Sequence, residues 1–133
     1  MGFGSDMSKF CREAVAKTDE QRRTITLSVL NGVINDTPVL NGFLRGAWQT
    51  TESTPSTNVI SRPDKGGGAP RDDLLNVLVG TKGRDCVIYF VNNMPYAYGI
   101  EFEGRSNKAP DGMVRRNIAR VNSIVAKVSS GGR

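Results

Sequence analysis

The sequence contains no histidine and only two cysteines, Cys11 and Cys86. A four-ligand zinc site needs more cysteine and histidine than this, and a catalytic triad loses its usual imidazole base. These counts argue against a four-ligand zinc site and against a histidine-based triad. We expect no metal, no cofactor and, with the arguments below, no enzymatic activity. Apolar runs of about eighteen residues are also missing, so we expect no membrane-spanning helix.

Acidic residues are scarce in the C-terminal part of the chain. Residues 105–133 hold seven Lys/Arg and one Asp/Glu, whereas residues 36–104 hold six basic and eight acidic side chains. The formal net charge of +5 is therefore a property of the C-terminal segment. Such a segment can face phosphate groups or an acidic protein surface.

Helical periodicity is present at both ends of the chain. A long helix is predicted over about residues 6–35, where Ile25, Val29 and Val33 continue an apolar stripe with helical spacing. Its central turns, "KTDEQRRT", are almost wholly polar, so they form either a solvated face or a seam between subunits. A second apolar stripe predicts a C-terminal helix over residues 114–128.

Strand-forming segments lie between these helices. Residues 45–53 and 57–62 are predicted to form a β-hairpin around Pro55, and "RDCVIYFVNN", apolar on both faces, a central strand. In "PYAYGIEFEG", Pro95 and Gly104 favour a short helix over an edge strand. The predicted fold class is α+β: a small antiparallel β-sheet flanked by a long N-terminal helix and a C-terminal helix.

The chain of 133 residues is expected to form one domain, spanning 1–133. The glycine-rich stretch "RPDKGGGAP" predicts a mobile loop at about residues 63–71. The following "APRDDLLNVLVG" favours a short helix. The terminal "SSGGR" predicts fraying at about residues 129–133.

Two carboxylates stand out in "NNMPYAYGIEFEGRSNKAPDGMVRR", residues 92–116. On a strand, Glu101 and Glu103 would share one face about 7 Å apart. Carboxylates that flank a scissile bond usually come from opposing elements. Beside a cluster of arginines they are more typical of ion pairs than of a catalytic pair.

The same stretch is compatible with binding to nucleic acid or to protein. Its cations could contact a phosphate backbone and its tyrosines could stack on bases, although no helix-turn-helix, zinc-finger or RNA-recognition signature is present. Aromatic residues and arginine are also enriched at protein interfaces. The residues alone leave both alternatives open. The residues concerned are Tyr96, Tyr98, Arg105, Lys108, Arg115, Arg116 and Arg120.

An ordered set of short motifs resembles the neck and tail-completion proteins of long-tailed bacteriophages, which are also described as head–tail joining proteins or tail components. Order and spacing agree from about residue 5 to residue 126. Two positions depart from the family pattern. Arg105 stands where the family commonly has an aromatic residue or threonine, and Phe102 stands where it often has tyrosine. The matching residues are Thr37, Pro38, Gly42, Leu44, Arg45, Trp48, Asn92, Asn93, Pro95, Tyr96, Ala97, Glu101, Gly104, Ser106, Ala109, Pro110, Gly112, Met113, Val114 and Arg115.

The resemblance implies a non-enzymatic virion protein, assembled in the host cell cytoplasm, at the junction of head and tail. It implies a ring of this chain, expected to be a hexamer, through which genomic DNA passes with transient, non-specific contact. The implied partners are head-closure or connector proteins and tail-tube or tail-terminator proteins. Two alternatives remain: a tail terminator that caps the tail tube, and a non-enzymatic DNA-binding protein.

Specific roles are predicted for the interface and structural candidates. Trp48, Tyr96 and Met113 are expected to support folding or subunit packing. Arg115 is expected to pair with a carboxylate, for which Glu101 is the candidate. Helical geometry places Arg116 and Arg120 one turn apart and turns Arg115 about 100° away from them. Arg116 and Arg120 are therefore expected to face a partner or solvent.

Overall fold

The computed structural model describes residues 2–82 and 86–129, and for residues 2–18 it describes the backbone only. The predicted α+β class, with a small antiparallel sheet and helices at both ends of the chain, is confirmed. In chain order, the elements within these residues are α1 (Gly2–Asp36), α2 (Phe43–Gly46), β1 (Trp48–Glu52), α3 (Gly68–Gly80), β2 (Ile88–Asn92), α4 (Ala97–Phe102), α5 (Val114–Ile118) and α6 (Val121–Ser129).

Helix α1 has 35 residues and is roughly 50 Å long at 1.5 Å per residue. It begins at Gly2, earlier than predicted, and ends at Asp36, close to the predicted end. The Thr37 hydroxyl donates to the Val33 carbonyl at 2.7 Å and so occupies one of the acceptors left free at the helix end. Pro38 follows and cannot continue the helical hydrogen bonds.

The polar middle of α1 remains accessible to solvent. Between Asp19 and Asn31 no side chain is fully buried. Arg22 and Arg23 both form ion pairs with Asp19, the first at 3.1 Å. Burial becomes complete only at Val33 and Ile34. The last two turns of α1 therefore anchor it to the domain.

The predicted hairpin is wrong. β1 pairs antiparallel with β2, so that Trp48 lies opposite Asn92, and residues 57–62 form no strand. Side chains hold this segment instead: Gln49 and Asn93 both donate to the Asn58 carbonyl, at 2.7 and 2.8 Å. Side-chain amide groups in and next to the sheet thus replace the backbone hydrogen bonds of the predicted strand pair. Strand propensity does not predict such contacts.

The prediction of β2 as a central strand is also wrong for the single chain. The sheet has two strands among the described residues, and β2 pairs only with β1. Ile88 and Phe90 pack against the core. All five residues of β2 are nevertheless only partly buried, so the apolar character of this strand exceeds what one chain covers.

The core lies where the end of α1 meets β1, α3 and the start of α5. Its buried apolar side chains are at most 4% exposed. Trp48 belongs to this cluster, stacks on Phe90 with ring centroids 4.7 Å apart, and donates its indole N–H to Thr37 at 2.8 Å. Met113, 1% exposed, belongs to the same core. The prediction that Trp48 lies in the core is confirmed.

The glycine-rich loop leads directly into α3. The Asp64 carboxylate accepts hydrogen bonds from the N–H groups of Gly67 and Ala69 at 2.9 and 2.7 Å. The Ala69 N–H makes the largest contribution to lowering the pKa of Asp64. Gly67 has a φ of 76°, which favours glycine. Helix α3 starts at Gly68, so the last part of the predicted loop is helical.

The short helix predicted from the Pro95 and Gly104 signals is confirmed as α4. The single C-terminal helix is found as two, α5 and α6, because Arg120 donates its N–H to the Asn117 carbonyl at 3.1 Å in a tighter turn. Residues 130–133, predicted to fray, lie outside the described residues. None of the described helices has the length and apolar character needed to cross a bilayer.

Candidate assembly surface

Glu101 joins α4 to the start of α5. Its side chain is buried, with 6% exposure of the residue. Oε1 accepts from the N–H groups of Met113 and Val114 at 2.7 and 2.8 Å, and Oε2 accepts from the Arg115 N–H at 3.0 Å. These are N–H groups that a helix leaves without an internal partner in its first turn. Glu101 thus caps α5 from a distant position in the sequence.

Arg115 adds its side chain to the same carboxylate. Its Nε donates to Oε2 of Glu101 at 3.1 Å, and its Nη2 donates to the Glu101 carbonyl. The predicted pairing of Arg115 with Glu101 is confirmed. Burial acts to raise the pKa of Glu101, but the hydrogen bonds from Val114, Arg115 and Met113 outweigh burial and leave that pKa below its usual value.

Gly112 allows this close approach. Its φ of 85° lies in the left-handed region. A Cβ at this position would lie 2.4 Å from Oε2 of Glu101 and 2.9 Å from the Glu101 carbonyl oxygen. Any side chain here would therefore push the carboxylate away from the N–H groups that it caps.

The outer side of this junction carries exposed aromatic rings. Tyr98 and Phe102, on successive turns of α4, are 65% and 56% exposed. Their ring centroids lie 4.9 Å apart, and the Arg115 guanidinium lies over the Phe102 ring at 5.1 Å. We call these three residues the aromatic–arginine surface. Its arginine is bonded to Glu101 and its rings contact each other, so the three side chains form one contiguous surface.

A shallow groove of about 600 Å³ adjoins α4. Leu40, 90% exposed, and Tyr96, 40% exposed, contribute apolar surface to it. The predicted role of Tyr96 in subunit packing stays a prediction. Arg105 lines the groove and pairs with Glu103 at 2.6 Å. The lining residues are Pro38, Val39, Leu40, Asn41, Gly42, Leu44, Tyr96, Ile100, Arg105, Ser106, Asn107 and Lys108.

The arginines of the C-terminal helices contact this chain as well as solvent. Arg116 lies 3.7 Å from Asp36 at the end of α1, with its side chain 49% exposed. Arg120 is exposed and donates to Oδ1 of Asn117. The predicted separation of these two side chains from Arg115 agrees with the structure, because Arg115 binds a different carboxylate.

Sequence reasoning missed the polar contact that joins α1 to α5. Asn117 is fully buried, and its Nδ2 donates to Asp36 at 2.8 Å and to the Met113 carbonyl at 2.7 Å. A Cβ at Gly32 would lie 2.1 Å from Oδ1 of Asn117, so glycine lets the two helices approach. The available signal was the position of Asn117, a polar residue between Val114 and Val121 on the predicted apolar stripe.

The described residues hold no group of three or more His, Cys, Asp or Glu side chains that could bind a metal ion. A comparison with models of known protein families found no match, and curated proteins and solved structures gave no significant match either.

Proposed function

We propose that this chain is a structural protein of the neck of a long-tailed bacteriophage, which completes the tail at the head–tail interface. It would act as a subunit of a ring, expected to be hexameric, through which DNA passes. Head-closure or connector proteins and tail-tube or terminator proteins are its proposed partners. The proposal starts from the ordered motifs and is supported by the contacts that these motifs make.

The observation that carries the proposal is that the motif residues bond to one another across the sequence. In the first motif, Arg45 donates to the Thr37 carbonyl at 2.9 Å, and Trp48 donates to the Thr37 hydroxyl. In the second, Glu101 binds the backbone that follows Gly112. Scattered short matches that arose by chance would have no reason to fall on residues that interlock. Here they coincide with the framework of the domain.

The aromatic–arginine surface supports assembly as the purpose of this framework. Tyrosine, phenylalanine and arginine are enriched at protein interfaces, where ordered side chains lose little further entropy on binding. Tyr98 and Phe102 are too exposed to stabilise the isolated domain much. Their exposure therefore favours contact with another protein.

The arginine contacts favour assembly over tight DNA binding. Arg115 and Arg116 each lie beside a carboxylate of the same chain, Glu101 and Asp36. A phosphate group would have to compete with these carboxylates. Weak, transient contact with DNA suits a ring through which DNA slides, because a strong grip on phosphate would hinder movement.

The test compares two substitutions at almost equal exposure. Tyr98→Ser removes a ring from the aromatic–arginine surface, and Val79→Ser, at 66% exposure against 65%, removes an apolar group from α3. Purified variants are added to separated phage heads and tails that lack this protein, and infectious particles are counted. We expect a large loss for Tyr98→Ser and near wild-type joining for Val79→Ser.

The wild-type protein decides the class of function in the same assay. Restored joining without change in tail length supports the neck role. Tails that grow beyond their normal length without the protein, and stop when it is added, would show the tail terminator instead. No effect on heads or tails, together with tight duplex binding, would overturn both in favour of a DNA-binding protein.

A further inference from the structure

The outer edges of β1 and β2 differ in how other segments of the chain cover them. The outer edge of β1 is covered at its start, because Arg62 donates to the carbonyls of Trp48 and of Gly46 just before the strand, at 3.2 and 2.9 Å. A Cβ on Gly46 would lie 1.8 Å from the Arg62 carbonyl oxygen, which shows how closely that segment approaches. Among residues 2–82 and 86–129, none donates a comparable hydrogen bond to the outer edge of β2.

The pairing register shows which groups of β2 face outward. The Ser53 N–H donates to the Val87 carbonyl at 2.8 Å, which marks a hydrogen-bonded pair of the antiparallel ladder. Bonded and non-bonded pairs alternate, so Tyr89 and Val91 point their backbone groups toward β1. The backbone N–H and C=O groups of the other three residues point away from β1. These outward residues are Ile88, Phe90 and Asn92.

Nothing in the described part of the chain satisfies these outward groups. No hydrogen bond beyond the sheet itself reaches the backbone of Ile88, Phe90 or Asn92 from the described backbone. The β2 residues are also all partly exposed. A row of unpaired donors and acceptors on an accessible edge is a template for another strand.

The sequence of β2 does not protect this edge. Natural edge strands usually carry a lysine, a proline, a bulge or an inward-facing charge that prevents pairing. The strand "IYFVN" contains no charged residue and no proline, and it pairs with β1 without a bulge. Its composition, apolar on both faces, is that of a central strand. A second strand paired along the outer edge of β2 would make β2 a central strand.

We propose that the free chain pairs with a second copy of itself through the outer edge of β2, in antiparallel orientation. In the register centred on Phe90, each outward N–H of one copy meets an outward C=O of the other. Tyr89 then lies opposite Val91 of the second copy, an aromatic and β-branched pair of the kind that stabilises sheets. The result is one continuous antiparallel sheet with both β2 strands at its centre.

A second copy suits this edge better than an unrelated strand. The outward residues are symmetric about Phe90, so the edge is complementary to itself. No like charges meet, because the strand is uncharged. The pair is two-fold and closed, whereas a ring needs a head-to-tail contact. Pairing therefore goes beyond the proposed function and describes the chain before it enters an assembly.

Amide hydrogen exchange of the purified chain tests the pairing directly. In dilute solution we expect the N–H groups of Tyr89 and Val91 to be protected by β1, and those of Ile88, Phe90 and Asn92 to exchange fast. At high concentration the second set becomes protected, while the mass from light scattering rises from 14.4 kDa to twice that value. Self-association that leaves the second set unprotected, or a monomer at every concentration, would overturn the proposal.

A pair of double variants provides a matched test of the register. Tyr89→Glu with Val91→Glu places like charges opposite each other in the pair, whereas Tyr89→Lys with Val91→Glu places opposite charges there. We expect the first variant to be monomeric and the second to pair, with equal melting temperatures in dilute solution. Equal association of two folded variants would refute the register. If either unfolds, the exchange experiment on the wild-type chain decides alone.

This outcome is separable from the proposed function. A wild-type chain that stays monomeric at every concentration but joins heads to tails would reject the pair and leave the neck role standing. Pairing by a protein that does not join heads to tails would support the pair and reject the neck role.

Discussion

The Glu101 carboxylate accepts two hydrogen bonds from Arg115, from the backbone N–H at 3.0 Å and from the guanidinium Nε at 3.1 Å. The same carboxylate caps the first turn of α5, so one side chain fixes the position of a helix and the direction of an arginine. Helix α4 and helix α5 are therefore coupled through a single buried group. The predictions below begin with the loss of that group.

Replacing Glu101 by Gln should reduce the free energy of unfolding by about 2–4 kcal/mol, because the amide removes the charge and one acceptor from a buried cluster of donors. Urea unfolding measures the change. Glu103→Gln is the matched control, since the Glu103 side chain is 45% exposed and pairs with the exposed Arg105. We expect a loss of less than about 1 kcal/mol there. Equal losses in the two variants would contradict the capping role.

The stability that Glu101 provides should depend on pH. Its folded-state pKa is lowered, so its contribution is fully present above the unfolded value, about 4.3, and is lost as the pH falls through the folded value. The stability difference between wild type and Glu101→Gln should therefore be constant near neutral pH and shrink in acid. Thermal unfolding from pH 7 to pH 2 measures it. A stability difference that grows as the pH falls would contradict a lowered pKa for Glu101.

Two glycines with left-handed backbones should respond differently to alanine. Gly112→Ala forces a Cβ to within 2.4 Å of the Glu101 carboxylate, while Gly104→Ala, at a φ of 62°, meets nothing within 4 Å. We expect about 1–2 kcal/mol from backbone strain alone at Gly104, and clearly more at Gly112. Calorimetry on both variants gives the comparison. A cost at Gly104 equal to that at Gly112 would remove the steric explanation.

Trp48→Ala should cost about 3–5 kcal/mol, because the indole fills the core and stacks on Phe90. Trp48→Phe keeps the stacking but leaves the Thr37 hydroxyl without its donor, so we expect about 1–2 kcal/mol. Val79→Ala, at an exposed position, serves as control. Chemical denaturation ranks the three, and a Trp48→Ala variant as stable as the control would exclude the core role.

The three arginines should separate in stability and in DNA binding. Arg115→Ala should lower stability by about 1–2 kcal/mol through Glu101. The double variant Arg116→Ala, Arg120→Ala should lose less than about 1 kcal/mol, since the Arg116 side chain is about half exposed and Arg120 is exposed. In an assembly protein the double variant weakens joining. A DNA-binding protein would instead lose duplex affinity with each substitution, and a gel shift at two salt concentrations detects this.

Local signals predicted the parts of the fold that are local. The Pro95 and Gly104 signals locate α4, and helical spacing locates α1 apart from its first turn. The Arg115–Glu101 ion pair could also be predicted, because a charged side chain near a turn is expected to pair with an opposite charge. The pairing of β1 with β2 could not be predicted, since many residues separate the two strands and the intervening segment has comparable strand character. The Asp36–Asn117 contact likewise depends on how two helices cross, which the spacing of apolar residues does not determine.

That contact spans 81 positions of the chain. During synthesis the end of α1 leaves the ribosome long before Met113 and Asn117, the residues that cover it. A high separation between contacting residues slows folding, because a long loop must close before any stabilising contact forms. The domain should therefore complete its core only after the segment around Asn117 has left the ribosome. Until then the apolar end of α1, around Val33 and Ile34, stays open to chaperones.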